Sequence, residues 1–351
     1  MADPRQSAPP LLLGASQAGA SLTLASTAWM VSGLTASPLL NSLLPALGAL
    51  PFLVQLRRTP RGYGLQLLAV VVLIGLSLAV GIKTFNPTPL LVGSFVAVLL
   101  FGVGQEMSSL PLQRRLLSQT RCSMLRLRRG QEVGALVGNL LAASLFPAIR
   151  QFVPALLLLL PLAGVAASPT SQGTAPVPSS GEQHIPLDAR CMLQGLVMGG
   201  LFALLALWVR QVDGGKCFDF AMVLAAYGLG RISVGMIPAW HRSLGYLLMA
   251  VLLLISQAGV PPWLAVLLFL PIGALAASTD AALVAQLERL GDAPLRWQVM
   301  LRSGAIGGVV GSIGLGVICQ AFSLSLALPL VVVGFLLLAI TPFQAPVAPV
   351  Q

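Results

Sequence analysis

Charge is what this sequence has least of, and acidic charge above all: charged residues are 9% of the 351, with 10 acidic against 20 basic, while 56% are hydrophobic. That composition leaves too little polar surface to cover a water-soluble globule of this size, which excludes a soluble enzyme. Histidine occurs only at His184 and His241, and both read as solvated. The cysteines Cys122, Cys191, Cys217 and Cys319 are far apart and form no CxxC or Cys/His pattern, so neither a disulfide framework nor a metal site is expected. No Ser/His/Asp, Cys/His or phosphate-loop arrangement occurs either, so no enzyme activity and no cofactor are expected. The formal charge of +10 would suit nucleic acid, but the basic residues fall in short clusters between apolar runs instead of along one stripe. Those clusters read as topology signals of a protein embedded in a lipid bilayer, with no nucleic-acid partner expected.

What is present is a near-continuous series of apolar runs. A span needs about 20 apolar residues. Breaking the chain at Pro, Gly and charge clusters predicts spans near 11–33, 38–56, 65–84, 89–108, 131–148 and 152–168. A second six follow near 191–209, 218–237, 243–258, 262–281, 300–319 and 323–341. The polar start Met1–Pro10 and the run after it have the outline of a cleaved leader. That run is long enough to span and further spans follow at once, so it is read as the first span. The expected fold is all-α and integral to the membrane, with twelve transmembrane helices in two six-helix halves, residues 1–167 and 191–351. Between them, 168–190 reads as a polar connector.

Orientation follows from where Lys and Arg fall. One side collects Arg5, Arg57, Arg58, Arg61, the arginines from Arg114 to Arg129, Arg190, Arg242, Arg289, Arg296 and Arg302. The other has Lys83, Arg150, Arg210 and Lys216. The first side is therefore expected to be cytoplasmic, with both termini on it. An internal repeat accompanies this. Arg129, Gly134 and Gly138 share the spacing of Arg302, Gly307 and Gly311, pairing the fifth span with the eleventh. Ala97-Val-Leu-Leu-Phe101 recurs as Ala265-Val-Leu-Leu-Phe269, pairing the fourth with the tenth.

Polar groups within spans are the functional candidates, because hydrocarbon penalises them. Ser16, Gln17, Ser21, Thr23, Ser26 and Thr27 give the first span polar stripes, and Gln194 stands near the equivalent place in the seventh. Gln17, Ser21, Thr27 and Gln194 are thus expected to line a substrate cavity, with Trp29, Trp208 and Tyr227 as aromatic walls. The ionisable candidates are Glu106, Glu132, Asp219, Arg231 and Asp280. Glu106 or Glu132 with Arg129, and Asp280 with Arg231 or Arg302, are expected to pair as a cytoplasmic gate. Snorkelling to the interface is the plainer alternative for these charges, and close helix packing for the hydroxyls and glycines.

The stretch Gln17 to Val54, with Trp29, Leu34-Thr35-Ala36-Ser37-Pro38-Leu39 and Ala49-Leu50-Pro51, resembles the first two helices of the major facilitator superfamily, nearest its enterobactin-exporter and macrolide-efflux branch. Ala282 to Gln286, then Asp292-Ala-Pro294 to Arg296 and Met300, resembles that branch's loop between the tenth and eleventh helices. Gly228-Leu-Gly230-Arg231 to Gly235 resembles its eighth helix. The superfamily's Gly-x-x-x-Asp loop signature would fall on Pro51 to Gln55 and on Gly235 to Ala239, and its acid is missing in both. The fifth helix keeps Gly134 and Gly138 without the Gly-Pro pair of antiporters, and the first helix has no acid. The resemblance implies a monomeric carrier in the plasma (inner) membrane that exports a small organic solute by rocking two halves around a central cavity. A transport-inactive scaffold or assembly protein is the alternative that the eroded signatures suggest. A lysolipid flippase is a second, favoured by a cavity that is mostly apolar and opens sideways.

Overall fold

The computed structural model describes residues 4–54, 56–81, 86–119, 123–145, 151–168, 186–211, 214–233, 242–257, 261–287 and 293–341. Among these residues there is no strand. The α-helices are α1 (Pro4–Leu34), α2 (Pro38–Ala49), α3 (Tyr63–Gly81), α4 (Pro87–Gln119), α5 (Met124–Ser144), α6 (Phe152–Ala167), α7 (Ala189–Ala203), α8 (Leu205–Gln211), α9 (Cys217–Ile232), α10 (Arg242–Gln257), α11 (Pro262–Gln286), α12 (Ala293–Ala321) and α13 (Ala327–Ile340). Most of the expected connector, 169–185, lies outside the described residues, as do His184 and His241.

Helix starts are set by side chains that accept otherwise unpaired N–H groups. Ser37 caps α2 ahead of Pro38, and Ser123 caps α5. The Asp188 carboxylate accepts from Arg190 and Cys191 at 2.9 and 3.0 Å to start α7. Asp219, a functional candidate by sequence, instead accepts the Lys216 amide at 2.7 Å at the start of α9.

The helices depart from the expected spans in two ways. Helices α4, α5 and α12 run on through their arginines, because charge ends a hydrophobic run but Arg is a good helix former. The 31 residues of α1 rise about 46 Å at 1.5 Å each, so such helices reach beyond the hydrocarbon layer. The seventh span is also split, with Leu204 between α7 and α8.

Among the described residues five stretches are long and apolar enough to cross a membrane: Pro60–Val80, Pro87–Leu117, Ala189–Gln211, Trp263–Gln286 and Leu295–Ala321. Shorter apolar helices lie at Pro38–Leu53, Phe152–Ala167, Ser243–Gln257 and Leu324–Ile340. Helices α1, α5 and α9 fall in neither group. They carry polar side chains that the fold turns inward.

Contacts recur in parallel sets. Helix α1 packs on α5 and α6 as α7 packs on α12 and α13; α3 lies on α4 as α10 lies on α11; α2 lies on α4 as α9 lies on α11. The two sets meet along α2–α12 and α5–α9. Leu68 and Val71 of α3, Leu157 of α6, Val251 and Leu254 of α10 and Leu337 of α13 are exposed, an outward apolar face suited to lipid.

Glycine makes the α1–α5 and α7–α12 seams close. A Cβ on Gly134 would sit inside the Gly14 carbonyl, and one on Gly138 inside that of Ala18. On the other seam Gly307 and Gly311 stand in the same relation to Met192 and Leu196. That register aligns Ser16 with Gln194, and the side chains agree. The Ser16 hydroxyl meets the Tyr63 hydroxyl of α3 at 2.7 Å, and the Tyr246 hydroxyl of α10 donates to Gln194 Oε1 at 2.8 Å.

Candidate functional site

Between the two helix sets lies a cavity of about 660 Å³, a volume typical of small-molecule sites. Its lining comes from α1 (Gln17), α4 (Gln105, Ser109, Gln113), α5 (Arg128, Gln131, Glu132, Asn139), α7 (Gln194, Met198, Phe202), α9 (Tyr227, Arg231), α11 (Asp280) and α12 (Met300, Gly304, Gly308). The arginines and acids enter it from the start of α5 and the ends of α9 and α11. That is the end carrying the basic clusters.

One guanidinium organises the charges. Arg231 Nε and Nη2 donate to the two oxygens of Glu132, each at 2.9 Å, and Nη2 also donates to Asp280 Oδ2 at 2.9 Å. Arg231 Nη1 reaches the Tyr227 hydroxyl at 3.3 Å. Arg128, one turn before Glu132, pairs with it at 3.1 Å and stacks its guanidinium 4.4 Å from the Trp297 ring centre. Gln194 Nε2 donates to Asp280 Oδ1 at 2.6 Å, so the network runs on through Gln194 to Tyr246. Arg231, Glu132 and Asp280 are 14%, 16% and 14% exposed, so hydration is scarce and mutual pairing must satisfy most of their charge. The network ties α5 to α9, α11 and α7.

Further bonds cross between the helix sets at the same end. Arg302 Nε donates to the Phe52 carbonyl at 3.0 Å, and Gln298 Nε2 to Ser109 Oγ at 3.4 Å. At the opposite end Arg210 of α8 donates to Ser32 Oγ at 3.1 Å and to the Trp29 carbonyl at 2.9 Å. Its guanidinium lies 4.0 Å from the centre of the Trp29 ring, which stacks on Phe220 at 5.9 Å.

Of the expected lining and wall residues the cavity gathers Gln17, Gln194 and Tyr227, with Gln194 already bonded on both sides of its amide. Ser21 instead faces the α1–α5 seam near Gly138. Thr27 donates to the Thr23 carbonyl at 2.7 Å within α1. Trp29 belongs to the Arg210 clamp, and Trp208 packs among Leu201, Leu204, Leu315 and Leu328. Of the expected pairs, Asp280 meets Arg231 at 2.9 Å, and Glu132 takes Arg231 and Arg128. Arg129 is exposed. Glu106, 3% exposed, lies 3.8 Å from Arg58. Arg302 turns to the Phe52 carbonyl.

Sequence reasoning missed Arg128, Gln113, Gln131, Asn139 and Arg210. Arg128 was legible, because it stands four residues before Glu132, the spacing at which an Arg and a Glu meet on one helix face. The amides of α4 and α5 carried no such sign. Asn139 donates to the Leu224 carbonyl of α9 at 3.2 Å, a contact that only the packing reveals.

No protein-family model and no curated protein matches this sequence. Solved structures do match its shape. A mutant of the nucleoside transporter NupG superposes over 95% of this chain and 97% of its own, with a TM-score of 0.62 at 13% identity. A bacterial homolog of the human lysosomal transporter Spinster, inward-facing and occupied, covers 97% and 93% with a TM-score of 0.63 at 12% identity. The fold is the one that these two solved structures share. The human organic anion transporter MFSD10 (TETRAN) shares it over 96% of this chain and 99% of its own, with a TM-score of 0.52 at 16% identity. At these identities the likeness is one of fold.

Proposed function

We propose that this chain is a secondary transporter that moves a small organic solute by alternating access, with residues 1–167 and 191–351 as two six-helix halves rocking about the central cavity. The observation that carries the reading is the Glu132–Arg231–Asp280 network. It is a set of charges in an otherwise apolar molecule, facing a cavity and joining helices of opposite halves. Charges placed at such depth are expensive unless they serve a pathway. Their pairing closes the Arg-rich end, and their separation would open it. The Arg210 clamp on Trp29 and Ser32 is the matching closure at the other end.

In this reading Gln17, Gln194 and Tyr227 contact solute, and Arg128, Glu132, Arg231 and Asp280 gate it. Arg58, Glu106 and Arg302 brace the same end. Both termini and the 168–190 connector face the cytoplasm of a plasma (inner) membrane, where the arginines collect. Export is the direction suggested by the resemblance to the enterobactin-exporter and macrolide-efflux branch.

A thermal-stability screen of the purified protein against metabolites and drugs tests the reading, followed by uptake of each hit into proteoliposomes. A ligand that binds the native state raises the melting temperature in proportion to the logarithm of its concentration. At least one hit should be transported, and Arg231→Gln should abolish its movement. A protein that shows neither hit nor uptake is no transporter.

A further inference from the structure

The charged cavity continues into a second space of about 360 Å³, with which it shares Pro45, Phe52, Gln105, Phe202 and Leu224. This branch runs between α1, α2 and α4 on one side and α7 to α9 on the other. Its remaining wall is almost wholly apolar, including Leu24, Ala28, Leu44, Val98, Phe101 and Phe220, and it contains no charged residue. Its one further amide, Asn41, is already bonded to the carbonyls of Thr35 and Ser37 at 3.0 and 2.9 Å.

The main cavity has the opposite character. Six amides line it: Gln17, Gln105, Gln113, Gln131, Asn139 and Gln194. Gln113 is 5% exposed, and its Oε1 is buried with no partner among the described residues; the Oε1 of Gln131 is the same. A buried amide without a hydrogen bond is unfavourable, so two such oxygens lining one cavity mark where a ligand's donors or its cationic group fit. The charges lining the cavity, Arg128 and Arg231 with Glu132 and Asp280, cancel.

We propose that the solute is an elongated amphiphile of zero net charge, with a zwitterionic or uncharged head among the amides and the charge network and an apolar arm in the Phe101–Phe220 branch. The inference rests on the transport reading above and names its substrate class. A head with net charge would leave the balanced network with one uncompensated charge at low dielectric. A solute polar throughout gains nothing from the apolar branch. One apolar throughout leaves Gln113 and Gln131 unpaired.

Calorimetric titration of the full-length protein in amphipol tests this with four probes. They are decylphosphocholine, glycerophosphocholine (the same head without the arm), decyl sulfate and decyltrimethylammonium. Decylphosphocholine should bind saturably and at least about tenfold more tightly than the other three. Filling the branch in the graded series Ala28→Val, Ala28→Leu and Ala28→Phe should weaken it progressively, so the trend is readable even if the largest variant does not fold. Gln113→Leu with Gln131→Leu should weaken decylphosphocholine and decyl sulfate unequally, because only the first presents a cationic group to those oxygens. Glycerophosphocholine binding as tightly as decylphosphocholine, or indifference to the Ala28 series, overturns the amphiphile and leaves transport standing. Equal binding of the two charged probes and decylphosphocholine overturns the zero-charge head. Binding of no probe, together with no uptake of any compound, overturns both readings.

Discussion

Arg231 matters because of what its loss would strand. Among the described residues, removing it leaves Glu132 with Arg128 and Asp280 with the Gln194 amide, in a region with little water. Breaking a buried pair from one side costs about 3–5 kcal/mol, mostly as the uncompensated charge left behind. Arg231→Gln should therefore lower the melting temperature as well as abolish transport. Adding Asp280→Asn should recover part of the stability, because it removes one of the stranded charges, while transport stays lost. Thermal unfolding of the single and double variants, with uptake measured alongside, reads both. A double variant less stable than Arg231→Gln alone would contradict the network. At this scale the sequence was partly legible. Asp280 and Arg231 stood out because ionisable groups are rare in apolar spans, so their types alone flagged them. Which way an uncharged side chain points was not legible. Trp29 and Trp208 are apolar enough to suit a cavity wall, a clamp or a packed seam, and only their neighbours decide among these.

Helix α12 shows how packing assigns different tasks to one residue type. Gly307 lies against the Met192 carbonyl with no room for a methyl group, whereas nothing stands within 4 Å of where a Cβ would lie on Gly314. Gly314→Ala should hold or raise stability by up to about 1 kcal/mol, the helix-propensity difference. Gly307→Ala should push α12 off α7 and sharply reduce folded yield. Size-exclusion profiles and melting temperatures of the two variants make the comparison, and equal behaviour would rule out the close seam. The spacing Arg129, Gly134, Gly138 against Arg302, Gly307, Gly311 was visible in the sequence because a seam needs small residues at helical intervals. The break at Leu204 was not, since neither Pro nor Gly marks it. The helical extent of α5 and α12 through their arginines was hidden for a different reason. Hydropathy reports where lipid ends, and the helix does not end there.

Across the whole molecule the basic clusters give a direction. Arg126, Arg129 and Arg296 lie at the end of the bundle that carries the charge network, and Arg210 at the other. With the arginine-rich end in the cytoplasm, a cysteine introduced at Arg129, which is exposed, should resist an impermeant thiol reagent in intact cells and react once the cells are opened. Labelling in intact cells would invert the orientation.

The paired rungs Ser16–Tyr63 and Gln194–Tyr246 carry one more consequence. Corresponding helices of the two sets, α5 and α12, both start at the Arg-rich end, so even identical sets would be related by an axis through both ends and would leave those ends unlike. The rungs themselves are not identical, because the longer side chain at 194 reaches Asp280, a reach that a serine lacks. One set alone therefore ties its rung to the charge network, and each 1.4 kcal/mol that the tie adds to the closed Arg-rich end changes the ratio of closed to open states about tenfold. Gln194→Ser would make the second rung a copy of the first and release that tie. Spin labels across the Arg-rich end should then report a larger open population than in the unaltered protein. The resting shape of the molecule is thus set in part by where its two helix sets have diverged.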